Sequence, residues 1–126
     1  MSPGGTILVV DDDDSMRKAI ERLLNAAGIA CNAYASADAL LARGVEKDSA
    51  CVISDLRLPG MSGLELLATL RGRNILLPFI LITAHDAPGL RQRAMGCGAA
   101  AYLAKPCRGT KLLEAVRRAI ELPPPS

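Results

Sequence analysis

Apolar residues fall along the chain in blocks whose period changes in a regular order. Thr6 to Val10 is a continuous apolar run of strand length, rich in branched side chains, and reads as a fully buried strand. From Ser15 to Ala27 the period becomes helical: Met16, Ile20, Leu23, Leu24 and Ala27 share one face, and Gly28 supplies a left-handed stop. Residues 30 to 35 suggest a second, weaker strand, and 37 to 43 a short helix ending near Gly44. Cys51 to Ser54 is a third buried strand with Asp55 at its end. Ser62 and Glu65 have capping-box spacing, opening a helix that carries Leu64, Leu67 and Leu70 and closes at Gly72. Phe79 to Thr83 is the clearest strand, bounded by Pro78 and a polar turn. There follow a weaker helix from Pro88 to Met95, a strand from Ala100 to Ala104, and a last helix with Leu112, Leu113, Val116 and Ile120 on one face. The order βα, five times over, predicts an α/β fold: a doubly wound, open parallel five-stranded sheet with right-handed crossovers. In such folds ligands bind at the carboxyl ends of the strands.

Length and composition narrow the organisation. The chain has 126 residues, enough for a single core without disulfides or structural metal. Met1 to Gly5 reads as a flexible leader, 6 to 121 as the domain, and 122 to 126 as a Pro-rich tail or the start of an interdomain linker. Fifteen basic against thirteen acidic residues leave a net charge of only +2, without the basic excess of a nucleic-acid-binding domain. The few aromatics, Tyr34, Phe79 and Tyr102, disfavour a stacking platform for single strands. No apolar stretch has transmembrane length and the N-terminus lacks signal-peptide character, so a soluble, cytoplasmic protein without membrane contact is expected. Cys31, Cys51, Cys97 and Cys107 form no CxxC pair and stand at no metal-ligand spacing from the single histidine; reduced, structural cysteines fit best.

The even charge hides a local concentration. Asp11, Asp12, Asp13 and Asp14 stand consecutively after the first strand, Asp55 follows the third, Thr83 ends the fourth and Lys105 follows the fifth. Singly, each has an ordinary explanation: the aspartate run as a helix cap, Asp55 as a loop acid, Thr83 as a strand end, Lys105 as a solvated lysine. Together they converge on one rim of one sheet. Three carboxylates in proximity stay ionised at neutral pH only if cations compensate them. Lys105 leaves the cluster at −2, which one divalent ion cancels. Magnesium suits a site of one or two carboxylates, water and a phosphoryl oxygen, with manganese as a substitute. A carboxylate beside such charges is a competent nucleophile toward phosphorus, so the expected chemistry is formation of an aspartyl phosphate.

The strings ILVVDDDDSMRKAI, VISDLRLPGMSGLELL, FILITAHD and AAYLAKP resemble the signature segments of the response-regulator receiver domain, the CheY-like phospho-acceptor of bacterial two-component signalling. SDLRLPGMSG followed by LIT and KP is most similar to the FixJ/NarL class. The resemblance implies strand order 2-1-3-4-5, Asp55 as phospho-acceptor, and magnesium held by Asp12, Asp55 and the Arg57 backbone carbonyl, with Asp11 acting through water. It further implies Lys105 as partner of the phosphoryl group, Thr83 as switch hydroxyl, small Ala84 keeping the site accessible, Tyr102 as the reorienting aromatic, and a cis peptide before Pro106. Arg57 and His85 would occupy positions that adjust how fast phosphate is lost. The implied partners are a sensor histidine kinase, a phosphorylation-dependent second copy, and either a DNA-binding output domain beyond Ser126 or, for a stand-alone receiver, a separate protein. The fourth helix with the fifth strand and helix would be the switching surface, and self-catalysed uptake and loss of phosphate would be its only chemistry.

Some features stand outside this pattern. Asp13 and Asp14 match no catalytic position and keep the capping reading. Gly89 and Gly96 would each cost the fourth helix roughly 1 kcal/mol if interior. Cys107 stands where a larger apolar residue is expected. Two alternatives compete. Asp11, Asp13 and Ser15 approximate the nucleophile motif of haloacid-dehalogenase-like phosphatases, with Asp11 as nucleophile and Asp13 as acid/base, though no late acidic pair completes that site. A degenerate receiver that only binds protein is disfavoured because every expected phosphorylation residue is present.

Overall fold

Every predicted strand and helix is present in the computed structural model, which describes residues 5–121. The elements run β1 (Thr6–Val10), α1 (Asp14–Ala26), β2 (Cys31–Tyr34), α2 (Ala37–Arg43), β3 (Ser49–Asp55), α3 (Gly63–Gly72), β4 (Phe79–Thr83), α4 (Leu90–Gly96), β5 (Ala101–Ala104) and α5 (Gly109–Glu121). The strands form one parallel sheet in the order β2-β1-β3-β4-β5, as the resemblance implied. Most of the expected N-terminal leader and all of the Pro-rich tail, residues 1–4 and 122–126, lie outside the described residues.

Strand alternation divides the core in two. Ile7, Val9, Cys51, Ile53, Ile80, Ile82 and Leu103 face α1 and α5, meeting Ile20, Leu24, Leu112 and Val116. Their neighbours Leu8, Val10, Val52, Phe79, Leu81 and Tyr102 face α2, α3 and α4, meeting Leu40, Leu66, Leu67, Leu70 and Ala94. With both faces covered the strands lose the polar alternation of a half-exposed sheet, hence the unbroken apolar runs in the sequence. Cys51 is fully buried, and burial pushes its thiol up to about 12, far from the thiolate that reactive cysteines need. Cys107 is half-buried and packs against the core on the α1/α5 face.

Helix starts show which local signals act. The Asp13 side chain accepts from the N–H groups of Ser15 and Met16, as the capping reading expects, whereas Asp14 makes no cap and pairs with Arg17 within the first turn of α1. The Ser62–Glu65 capping box is complete at α3. The fourth helix departs from expectation: it begins at Leu90, not Pro88, and ends at Gly96, so neither glycine is interior. Gly89 stands at the N-cap with φ of 82°, a left-handed conformation that a side chain would resist. The anticipated cost of two interior glycines does not arise; Gly89 is what lets the chain turn into the helix. No side chain caps this end.

Candidate functional site

Strand register builds the site. Val10 pairs with Ser54, Asp55 with Ile82, and Thr83 with Ala104, so the carboxyl ends of β1, β3, β4 and β5 form one rim. Alternation then sorts the side chains. Asp11, Asp55 and Lys105 each follow by two positions a residue of the α1/α5 face: Val9, Ile53 and Leu103. Thr83 follows Leu81 of the opposite face, which also carries Tyr102. The rim therefore has an acidic half and a hydroxyl half.

In the acidic half, Lys105 Nζ donates to Asp11 Oδ2 at 3.3 Å and to Asp55 Oδ2 at 3.2 Å. One carboxylate oxygen from each of Asp11, Asp12 and Asp55 lies within 4.8 Å of the others. Asp11 is 2% exposed, Asp55 half-buried and Asp12 exposed, so the cluster opens to solvent at one side. Burial pushes the Asp11 carboxyl above the usual range despite the Asp13 N–H it accepts and the nearby Lys105, and Asp55 adds to the rise. Burial works against the charge of Lys105, but Asp11 and Asp55 outweigh it and hold the ammonium above its ordinary value. Three convergent carboxylates with one ammonium are an oxygen-only donor set suited to a hard divalent cation.

Several residues that sequence reasoning passed over hold this half in place. Arg17 Nη1 donates to the Asp11 carbonyl at 2.9 Å. The buried Ser54 hydroxyl donates to the Asp55 carbonyl at 2.9 Å, and Leu56 N–H donates to Ile82 O at 2.8 Å. Gly63 opens α3 directly against β3: a Cβ there would stand 2.3 Å from Asp55 O and 2.9 Å from Leu81 Cδ1. Only the motif glycine of PGMSGLE hinted at this, and close approach between two backbones has no periodic signature.

In the hydroxyl half, Thr83 is fully buried and its Oγ1 accepts from His85 N–H at 2.9 Å, while Thr83 O accepts from Lys105 N–H at 2.7 Å. Ala84 and His85 are exposed beside it. The Lys105–Pro106 peptide is cis. Tyr102 is 2% exposed; its hydroxyl donates to Asp86 Oδ1 at 2.6 Å and the Arg91 guanidinium covers its ring at 5.2 Å. Asp86 and Arg91 were not singled out by the sequence. Arg57 is exposed in the loop after β3. Asp13 Oδ1 caps α1 and the residue stands outside the Asp11–Asp12–Asp55 group, against the acid/base role of the phosphatase-like reading.

The response regulator receiver domain family matches residues 7–117. The chain belongs to that family. Its receiver is 40% identical over 112 residues to the transcriptional regulatory protein FixJ of Azorhizobium caulinodans, covering 89% of this chain and 53% of that protein. It is 39% identical over 116 residues to the DNA-binding transcriptional regulator NtrC of Salmonella typhimurium, covering 92% of this chain and 25% of that one. Among solved structures, the crystal structure of FixJ-N matches with a TM-score of 0.86 at 35% identity, over the whole of both chains. The chain is thus a FixJ/NarL-like receiver domain of two-component response regulators, a signalling domain, and it spans about half the length of the FixJ relatives it matches or less of longer regulators. Among the described residues no helix is long and apolar enough to cross a membrane. The grouping of Asp11, Asp12 and Asp55 is of the kind with which receiver domains bind magnesium.

Proposed function

We propose that this receiver accepts a phosphoryl group on Asp55 from the phosphohistidine of a sensor histidine kinase. The single observation that carries the reading is the bracket of Lys105 across Asp11 and Asp55 within the three-carboxylate cluster. An Asp55 carboxylate oxygen attacks phosphorus, the P–O bond forms as the P–N bond breaks, and the electron pair leaves with the imidazole. Lys105 follows the incoming charge, exchanging a carboxylate partner for a phosphoryl oxygen. Asp12, Asp55 and the Arg57 carbonyl would hold magnesium, with Asp11 reaching it through water; the ion would supply charge neutralisation as phosphorus approaches. Thr83 donates its hydroxyl to the phosphoryl group, and Ala84 leaves the approach open. Water later hydrolyses the acyl phosphate, at a rate adjusted by Arg57 and His85.

The outcome is a population shift rather than turnover of a substrate. Thr83 and Tyr102 change partners together, and the face of α4, β5 and α5 takes up a second copy of the chain or an output domain, such as a DNA-binding one, in the cytoplasm. The names of the FixJ and NtrC relatives support a transcriptional output. Intact mass after incubation with a small-molecule phosphodonor and magnesium tests the reading. One phosphoryl group should add to the wild type and none to Asp55→Asn; an adduct retained in that variant and lost in Asp11→Asn would overturn it.

A further inference from the structure

At the opposite end of the sheet, where β3 and β4 begin, lies a groove of about 430 Å³ that shares no residue with the rim. Val45, Ile75, Leu76 and Pro78 line it, and Ala119 and Ile120 from the last turn of α5 close one side. Its outer wall is held in place. Asn74 turns the chain after α3 with φ of 63°, and the Arg71 guanidinium donates to the carbonyls of Ile75 at 2.8 Å and Leu77 at 2.9 Å. Leu76, between those two fixed peptides, is 42% exposed, one of only two large apolar side chains so placed among the described residues. Inside, the buried Ser49 hydroxyl is the one side-chain polar atom that has no hydrogen-bond partner among the described residues, a cost unless an acceptor is supplied. The groove thus lacks an apolar cover and a hydrogen-bond acceptor.

We propose that Leu122 to Pro125, the residues that follow α5 in the sequence, seat in this groove. The leucine and the pyrrolidine rings cover Leu76 and its neighbours, and one carbonyl of the segment accepts from Ser49 Oγ. Reach favours this occupant: Ile120 already lines the groove, so Leu122 starts two residues from it, and three prolines in a polyproline II helix add about 9 Å at about 3.1 Å each. Gly5 and Thr6, at the other end of the described chain, do not line it. Chemistry favours it as well. Proline has a carbonyl but no N–H, so burying the run leaves no donor unpaired and brings the acceptor that Ser49 lacks. Its fixed φ lowers the entropy lost on seating. A seated segment fixes the direction in which the chain leaves α5, which in a regulator that continues into an output domain orients the two. The phospho-acceptor reading stands or falls separately, because the groove is remote from the rim.

A double-mutant cycle by thermal unfolding of the 126-residue chain tests this through a change of sign. Ser49→Ala should lower the melting temperature of the wild type by about 4 °C, because a buried hydrogen bond is lost. In a chain carrying Leu122→Ser, Pro123→Gly and Pro124→Gly, the same change should leave the melting temperature unaltered or raise it, because it then removes an unpaired hydroxyl. Nuclear Overhauser contacts between proline ring protons of residues 123–125 and the methyl groups of Val45 and Leu76 should appear in the wild type and vanish in the triple variant. An equal effect of Ser49→Ala in both backgrounds, or the absence of those contacts in the wild type, overturns the proposal. Groove methyl resonances that move with protein concentration, or contacts from Pro3 in place of the later prolines, would put a second copy or the amino-terminal residues there and overturn it equally.

Discussion

The two halves of the rim are built differently although one sheet presents both. Around Asp11 and Asp55 the backbone is fixed from several sides: α1 is capped by Asp13, α3 by a full capping box, and Gly63 lies against the Asp55 carbonyl without room for a methyl group. Around Thr83 and Tyr102 an exposed six-residue stretch, 84–89, leads into α4, seven residues long, entered through a left-handed glycine and without a side-chain cap. A nucleophile needs a constant position relative to its charges, whereas a switch needs an element whose two arrangements differ little in free energy. Local unfolding should therefore concentrate on the second half.

Substitutions can break this contrast, the most severe being at the tightest approach. Gly63→Ala should destabilise the fold by about 3 kcal/mol, since a Cβ must displace Asp55 O or Leu81, and urea unfolding measures it. A loss below about 1 kcal/mol would mean that the β3–α3 corner yields as easily as α4. Magnesium should stabilise the acidic half selectively, by about 2.7 kcal/mol at a free concentration one hundred times its dissociation constant. Asp12→Asn should weaken that gain in a thermal melt, and a gain that survives the substitution unchanged would remove Asp12 from the cation site. Asp13→Ala and Ser62→Ala should each cost about 1 kcal/mol by loss of the cap. Gly89→Ala has no cap to lose and should cost roughly 1 kcal/mol through its left-handed backbone alone, seen in hydrogen exchange as faster opening of α4 with the β1 and β3 amides unaltered. Equal acceleration across the sheet would erase the distinction between the halves.

What the sequence made legible follows the same division. Apolar runs bounded by turns located the strands because parallel strands covered on both faces have no polar positions. Once their order was clear, Asp11, Asp12, Asp55, Thr83 and Lys105 had to share a rim. The capping roles of Asp13, Ser62 and Glu65 were readable because caps act within four residues. The start of α4 was misplaced by two residues because Pro88 has the propensity of a first-turn residue, and the left-handed turn at Gly89 that decides the matter depends on the loop path. Gly63 against Asp55, and Asp86 under the Tyr102 hydroxyl sixteen residues away, are contacts between elements, which no local period encodes.

The central claim concerns which carboxylate carries the phosphoryl group, and trapping the adduct chemically addresses it most directly. Borohydride reduces an acyl phosphate to the alcohol, so peptide mapping of protein treated with phosphodonor, magnesium and then borohydride identifies the acceptor by its conversion to homoserine. The account predicts homoserine at position 55 and unaltered aspartate at 11, 12 and 13. Conversion at position 11 or 12 with Asp55 intact would contradict it.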